Sequence, residues 1–285
     1  MSIHLKNVCV GGRPLAVSTL AMSLLRDAVP FVRAVHPSGL SLAVPGSPDI
    51  CYLGAQGRGL LPLHVVVRQA DLAQILRLAG EAGNTSCRIS LDLDGVRVFR
   101  LVLQAVDLQG PSARIAVDQV AAWLRMRPEA CGLGEPPTQA LSADGRIRRT
   151  LAAVEAGPQS AGRALRALIG RGAGSTPAGD DVLVGALAHA FASGTNKPAL
   201  VRAMLALMPE FDQLTTAAGA TYLRAAVQGV FGGDLLAFVR SLPNPAPERA
   251  LRCATRVACH GATSGIDSLL GFVAAHNLRC AFALP

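Results

Sequence analysis

The chain has 285 residues, of which 51% are hydrophobic and 16% charged, and it carries a formal net charge of +8. That balance excludes a disordered chain, and the length suits one large core or two ordinary ones. No apolar run reaches the ~18–20 residues that cross a bilayer, and Met1-Ser2-Ile3-His4-Leu5-Lys6 lacks a basic region followed by an apolar core, so a soluble, cytoplasmic protein with no membrane partner is expected.

The positive charge is almost all arginine, since lysine occurs only at positions 6 and 197. The arginines are dispersed, and the one tight cluster, Arg146-Ile147-Arg148-Arg149, has no aromatic companions. Nucleic-acid readers concentrate basic residues on one face or interleave them with stacking rings. A small anionic ligand, and no nucleic acid, is therefore the expected use of the charge. Seven cysteines, at 9, 51, 87, 131, 253, 259 and 280, are scattered, odd in number and without a Cys-x-x-Cys pair. That argues for reduced, mostly buried thiols. Cys253, Cys259 and His260 can share a helical face, but their spacing is not that of a metal site.

Taken in chain order, Pro14 to Val29 suits a helix through Leu15, Leu20, Leu24 and Leu25. Short β-prone runs follow at Phe31–Val35, Leu40–Val44, Ile50–Leu53 and Leu63–Val67, separated by stretches rich in Gly, Pro and Ser. Asp71 to Ala79 places Leu72, Ile75, Leu76 and Ala79 on one helical face. Ile89, Leu91 and Leu93, then Asp94-Gly95, then Val96 and Val98 alternate about an Asp-Gly pair, which predicts a β-hairpin with a type I′ turn and a second strand running toward Val106. Val117 to Met126 reads as a helix carrying the sole tryptophan, Trp123, and the Gly/Pro-rich Cys131–Pro137 as a linker.

Beyond Leu141 alanine and leucine dominate. Helices are expected at 146–156, 160–169, 177–193, 198–208, 211–230, 232–241, 247–260 and 264–276, with a final strand at Arg279–Leu284. The expected fold is α+β. A β-rich N-terminal half, 1–135, forms a small sheet or barrel-like structure, and an all-helical half, 136–285, surrounds a buried central helix.

That central helix follows the most informative stretch, Gly170-Arg171-Gly172-Ala173-Gly174-Ser175-Thr176-Pro177-Ala178-Gly179-Asp180-Asp181. Glycines at alternate positions permit positive φ and close approach. Thr176 and Pro177 read as an N-cap and first helical residue. Val182 to Ala192 is apolar nearly all round, which marks a buried helix. Its first turn nevertheless carries Asp180 and Asp181, and buried carboxylates need a cation, donors or water. The Gly-Lys-Ser/Thr ending of a P-loop is absent, and the preceding residues look helical, which excludes a dinucleotide fingerprint. Free N–H groups from Gly174 to Ala178 at a helix N-terminus suit an anion, with Mg²⁺ or Arg171 between it and the acids. A tight interhelical turn capped by an acid is the purely structural alternative.

His260-Gly261-Ala262-Thr263-Ser264-Gly265-Ile266-Asp267 has capping-box-like spacing at Ser264 and Asp267. If it faces the first loop, Thr263, Ser264 and Asp267 add oxygen ligands of the kind Mg²⁺ takes. His260 is a weaker acid–base candidate. Thr215 to Ala226 reads as part of one helix, with Thr221 and Tyr222 in close helix packing. His4, His36, His64, His189 and His276 show no nucleophile or metal spacing, and no Gly-x-Ser-x-Gly supports a hydrolase triad.

Gly172 to Gly185 resembles the Gly-x-Gly-Leu-Thr-Pro-Ser-Gly-Asp-Asp-hydrophobic-Leu-x-Gly signature of a bacterial family, long of unknown function, that includes the AllH subunit of oxamate carbamoyltransferase. Thr221 to Gly229 and Gly261 to Gly271 resemble its later motifs in order and spacing. Ser175 stands where the family has an apolar residue, and Ala262 where histidine is expected. The resemblance implies a subunit of an enzyme of purine (allantoin) catabolism that exchanges a carbamoyl group between oxamate and phosphate, or a relative acting on another small amide or carboxylate. It supplies no residue roles.

The physical reading assigns them. Asp180 and Asp181 are the candidate catalytic groups. Arg171, Gly172, Gly174, Ser175, Thr176, Gly179, Thr263, Ser264 and Gly265 are the candidate anion-binding residues, and Asp180, Asp181 and Asp267 the candidate Mg²⁺ ligands. Partner subunits or a homo-oligomer are expected. The rival readings are a non-catalytic partner subunit, since no complete nucleophile–base set is visible, and a metal-dependent hydrolase with acids at helix ends, as in ADP-ribosyl hydrolases.

Overall fold

The computed structural model describes residues 7–9, 13–57, 59–81, 87–127, 131–194 and 198–282. His4, Lys6 and Lys197 fall outside this set, as do the side chains of Cys9 and Cys280. The fold is mixed α+β, with the strands early and the helices late. By its internal contacts the chain divides into two compact units, Met1–Leu101 and Val102–Pro285. Cys131–Pro137 lies within the second.

In the first unit, β1 (Asn7–Cys9), β2 (Ala16–Ser18), β3 (Phe31–His36), β4 (Gly39–Ala43), β5 (Ile50–Ala55), β6 (His64–Val67), β7 (Arg88–Ser90) and β8 (Arg97–Phe99) form one eight-stranded sheet. Its order is β1-β7-β3-β4-β5-β6-β2-β8. The helices are α1 (Thr19–Leu25), N-capped by Ser18, and α2 (Gln69–Glu81). Leu72, Ile75 and Ala79 of α2 are buried, and this helix packs on β3, β4 and β5. Leu40, Leu42, Leu53 and Val65 are fully buried within those strands and β6.

Two expectations need correction here. Pro14–Val29 opens with strand β2 before its helix, because Ala16 and Val17 pair with β6 and β8. The Asp94-Gly95 turn forms, with Val96 N–H donating to the Leu93 carbonyl at 3.3 Å and Gly95 at φ 61°. Its flanking strands nonetheless do not pair as a hairpin: β7 joins β1 and β3, whereas β8 joins β2 in parallel. The second strand also ends at Phe99. Turn chemistry fixes the local reversal, and long-range pairing decides where each strand goes.

The second unit holds α3 (Pro111–Arg125), α4 (Pro137–Ala140), α5 (Arg146–Glu155), α6 (Pro158–Leu168), α7 (Ala178–Ala192), α8 (Ala199–Leu207), α9 (Phe211–Leu214), α10 (Ala217–Val227), α11 (Gly233–Ser241), α12 (Pro247–Ala258) and α13 (Ser264–Phe282). As expected, α7 is the buried centre, with every residue but Val184 and Phe191 buried. Its main partner is α13. Small residues let the backbones touch: a Cβ on Gly185 would collide with the Ser268 carbonyl, and one on Gly271 with the Val182 carbonyl. Such contacts fix the axial register of the pair, so the two N-termini arrive together.

The helix expected over 211–230 is broken. Thr215 is extended (φ −145°, ψ −176°), and Thr216 N-caps α10 by accepting from Gly219 N–H at 3.0 Å. The strand expected at Arg279–Leu284 is also corrected, because α13 continues as helix through Phe282. Among the described residues no helix is long and apolar enough to cross a membrane.

Candidate functional site

The site forms where α7 begins. The preceding loop, 170–177, reverses direction through Gly170, Gly172 and Gly174, at φ 74°, 111° and 99°. Gly170 has no alternative, since a Cβ there would strike the Leu214 carbonyl. The loop closes when Gly179 N–H donates to the Arg171 carbonyl at 2.8 Å. The α7 N-cap is Pro177, with no side-chain cap. The expected Thr176 cap is thus displaced by one residue, because its hydroxyl is used elsewhere.

That hydroxyl meets Ser264 of α13, Oγ1 to Oγ, at 2.9 Å. The glycine loop and the 263–267 segment, 88 positions apart at this contact, therefore share one point in space. The α9–α10 break arrives at the same place. Thr216 Oγ1 donates to the Ser175 carbonyl at 2.5 Å, and the Thr215 hydroxyl donates to Asp180 Oδ2. The N-termini of α7, α10 and α13 thus converge on one loop.

The three buried carboxylates differ in their partners. Asp180, 1% exposed, accepts from Gly170 N–H at 2.8 Å and from Thr215, so both its oxygens are occupied. Burial pushes its pKa up to about 6 against the pull of those two donors. Asp181, 9% exposed, has an Oδ2 with no hydrogen-bond partner. Burial raises it to about 8, Ser264 and Thr176 draw it back, and the charges of Asp267 and Asp180 push it further up. Asp267, fully buried, accepts from Gly132 N–H through Oδ1 at 3.0 Å, while its Oδ2 has no partner. Burial takes it to about 6, countered by Thr263 and Gly132.

Sequence reasoning missed Gly132, reading its segment as a linker. A Cβ at that position would lie 2.6 Å from Asp267 Oδ2, Thr263 Oγ1 and Ala178 Cβ. It also missed Thr215, the donor to Asp180. The Gly-Leu-Gly run was the available signal for the first, and the Thr-Thr pair within an alanine-rich helix for the second.

The remaining expected residues are disposed as follows. Among the described residues, the N–H groups of Gly172 to Thr176 and of Ala178 make no hydrogen bond to another backbone group. Arg171 and Ser175 are exposed at the loop. Gly179 and Gly265 have their N–H groups engaged, by the Arg171 and His260 carbonyls, and both sit against carbonyls of neighbouring helices, those of Leu168 and Val257. His260 pairs with Asp234 at 2.6 Å and holds it below the usual carboxylate range. Thr221 bonds back to the Ala217 carbonyl at 2.7 Å, as a packed helical threonine does. Of the cysteines whose side chains are described, 51, 87, 131 and 253 are buried and 259 exposed, all as free thiols.

The residues fit a metal poorly. Each acid is tied to its own set of protein donors, and no group of three His, Cys, Asp or Glu is placed to hold a metal among the described residues. A cavity of about 460 Å³ opens toward the other end of α7, lined by Leu151, Ala186, His189, Leu200 and Ala275 among others. None of the predicted site residues lines it.

A family comparison bears directly on this arrangement. The family described as oxamate carbamoyltransferase subunit AllH matches residues 168–276. The likeness read from the motifs therefore holds over a span that contains the glycine loop, Thr215, Thr216 and the α13 N-terminus. Gly132 lies outside it. No solved structure matches the chain.

Proposed function

We propose that this chain is a subunit of an oxamate carbamoyltransferase-like enzyme of purine or related nitrogen catabolism, and that the mouth of α7 binds the anionic group of its small carboxylate or phosphate substrate. The observation that carries the reading is the Thr176–Ser264 contact. It joins the glycine loop, with its unengaged N–H groups, to the α13 N-terminus beside a buried carboxyl oxygen without a partner. N–H groups at helix N-termini are ready anion donors. Carbamoyl transfer passes through a tetrahedral oxyanion, and fixed donors aimed at developing charge stabilise such a species. Arg171, exposed on the loop, adds a cation at the entrance.

Titration calorimetry of the full chain with phosphate, carbamoyl phosphate and oxamate tests the reading. Each titration is run with and without Mg²⁺, on the wild type and on Thr176→Val and Ser264→Ala. Loss of at least tenfold in affinity in both variants is expected. Unchanged binding would remove the loop from the chemistry. If Mg²⁺ makes no difference, the metal has no part in binding.

A second reading is a subunit that binds ligand while a partner performs the chemistry. It is favoured by the composition of the mouth, where apart from Arg171 at the entrance the described polar side chains are hydroxyls and carboxylates and the nearby His260 is already paired with Asp234. Assay of the isolated chain beside the complex purified from native cells separates the two, because turnover by the isolated chain excludes a purely binding role.

A further inference from the structure

The cavity of about 460 Å³ lies within the helical unit, walled by α5, α7 and α13 and by Leu200 near the start of α8. It is a different place from the mouth. Its α7 residues, Ala186, His189 and Ala190, stand in the second half of that helix, and about 12 Å of helix axis separates His189 from Asp181. Folded interiors are close-packed, and voids larger than a water molecule are few. A water needs about 10–15 Å³, and an apolar cavity of about 150 Å³ takes up benzene. The space here is ample for a two-ring molecule and falls within the ordinary range of small-molecule sites, about 300–1,000 Å³.

The wall chemistry sets what fits. Leu151, Leu200 and Leu278 make the lining apolar. The backbone contacts of α7 with α13 are made at Gly185 and Gly271, whereas Ala186, Ala190 and Ala275 border the open space. One polar side chain is set deep in this wall: His189, 2% exposed. Its ring is fixed edge-on to Phe272, with centroids 5.3 Å apart at 79°, and to His276, at 5.5 Å and 78°. An imidazole at the wall offers a flat aromatic surface and a hydrogen-bonding edge. Glu155 and Gln109 are exposed at the rim. Among the described lining residues Glu155 is the one carboxylate and none is Arg or Lys, so an anion would meet a like charge with no cation to offset it.

We infer that this cavity is a second small-molecule site, for an uncharged heteroaromatic compound of one or two rings whose ring nitrogen meets His189. The rings occupy the space beside the alanines and leucines, and the imidazole orients them. A mostly apolar pocket with one well-placed polar group is the usual make-up of such sites. The cavity and the mouth thus differ in kind. The mouth presents N–H groups to an anion, and the cavity presents carbon and one imidazole to a neutral ring. Neither reading depends on the other.

Indole is the probe, having two fused rings, no charge and one N–H. Titrated into the full chain with labelled leucine methyls, it is expected to give saturable NMR shifts at Leu151, Leu200 and Leu278 and little at Leu40 and Leu53 of the sheet. Indole-3-acetate, with the same rings and a carboxylate, is expected to bind at least fivefold more weakly. Ala190→Leu puts a branched side chain into the space and is expected to weaken indole at least tenfold. Absent or unsaturable shifts at the three cavity leucines overturn the inference, as do shifts spread evenly over the leucines of both units. Equal binding of indole and indole-3-acetate overturns the preference for an uncharged ring. Unchanged indole affinity in Ala190→Leu, shown to be folded by circular dichroism and a thermal melt, overturns the cavity as the place of binding. The wild-type shifts require no variant to fold.

Discussion

The first turn of α7 has two sides with opposite economies. On one side Asp180 is saturated, with one oxygen on Gly170 N–H and the other on the Thr215 hydroxyl. It clasps the start of the glycine loop to the α9–α10 break, and Gly219 is the residue that leaves space for it, since a Cβ there would collide with its Oδ2. On the other side Asp181 and Asp267 each keep an oxygen without a donor. Adjacent acids in one sequence thus do different work. A saturated buried carboxylate holds a structure together, and an unsatisfied one is a cost that a retained proton or a ligand offsets. Stability and binding should therefore separate across these neighbours.

The largest effect is expected from Asp180→Ala. Removing this acceptor from the core strands the half-buried Gly170 N–H and Thr215 hydroxyl, at about 3 kcal/mol of stability. Urea unfolding followed by circular dichroism measures it. A loss under about 1 kcal/mol would mean that the clasp is not a structural element and that the contrast with Asp181 is empty.

Next in size, and opposite in sign, is Asp181→Asn. The unfolded chain releases the Asp181 proton near the ordinary value of 3.8, whereas the folded chain holds it up to about 8. Between those limits the folded state binds the extra proton, so its stability falls as pH rises. Asp180 and Asp267, held near 6, and the buried imidazoles of His64 and His276, pushed below their ordinary 6.5, are present in wild type and variant alike, so the comparison between the two isolates Asp181. At about 1.4 kcal/mol per unit, the Asn variant is expected to gain about 2 kcal/mol on the wild type from about pH 6 to 8 while losing ligand. Chemical denaturation at pH 6, 7 and 8 reads the difference. Parallel pH profiles would place Asp181 in the saturated class with Asp180.

How much of this was legible beforehand follows from the range of each interaction. Short β-prone runs marked β3, β4, β5 and β6, because strand propensity and turn residues act over a few positions. The apolar 182–192 run marked α7 as buried for the same reason. The Asp94-Gly95 turn was read correctly and its hairpin was not, since the pairing of β7 and β8 is set by strands far away in sequence. Thr215 and Thr216 sat in helical composition, and only the needs of Asp180 and Ser175 explain the break there. Gly132 reaches Asp267 across 135 positions, and the local Gly-Leu-Gly run marks the residue without showing what it meets. Both acids of α7 were visible as a pair, but the division of labour between them depends on donors that other segments supply.

Thr215→Val sharpens the comparison from the donor side and has the smallest expected effect. Valine keeps the branched shape and removes the hydroxyl that meets Asp180 Oδ2. The loss of one half-buried hydrogen bond to a carboxyl is about 1 kcal/mol. Much of it should vanish in an Asp180→Asn background, because an amide presents only one acceptor and Gly170 N–H already claims it. A double-mutant cycle isolates that coupling. Coupling near zero would mean that Thr215 acts through packing alone. A coupling of about half the single-mutant loss or more would establish that the break between α9 and α10 exists to serve Asp180.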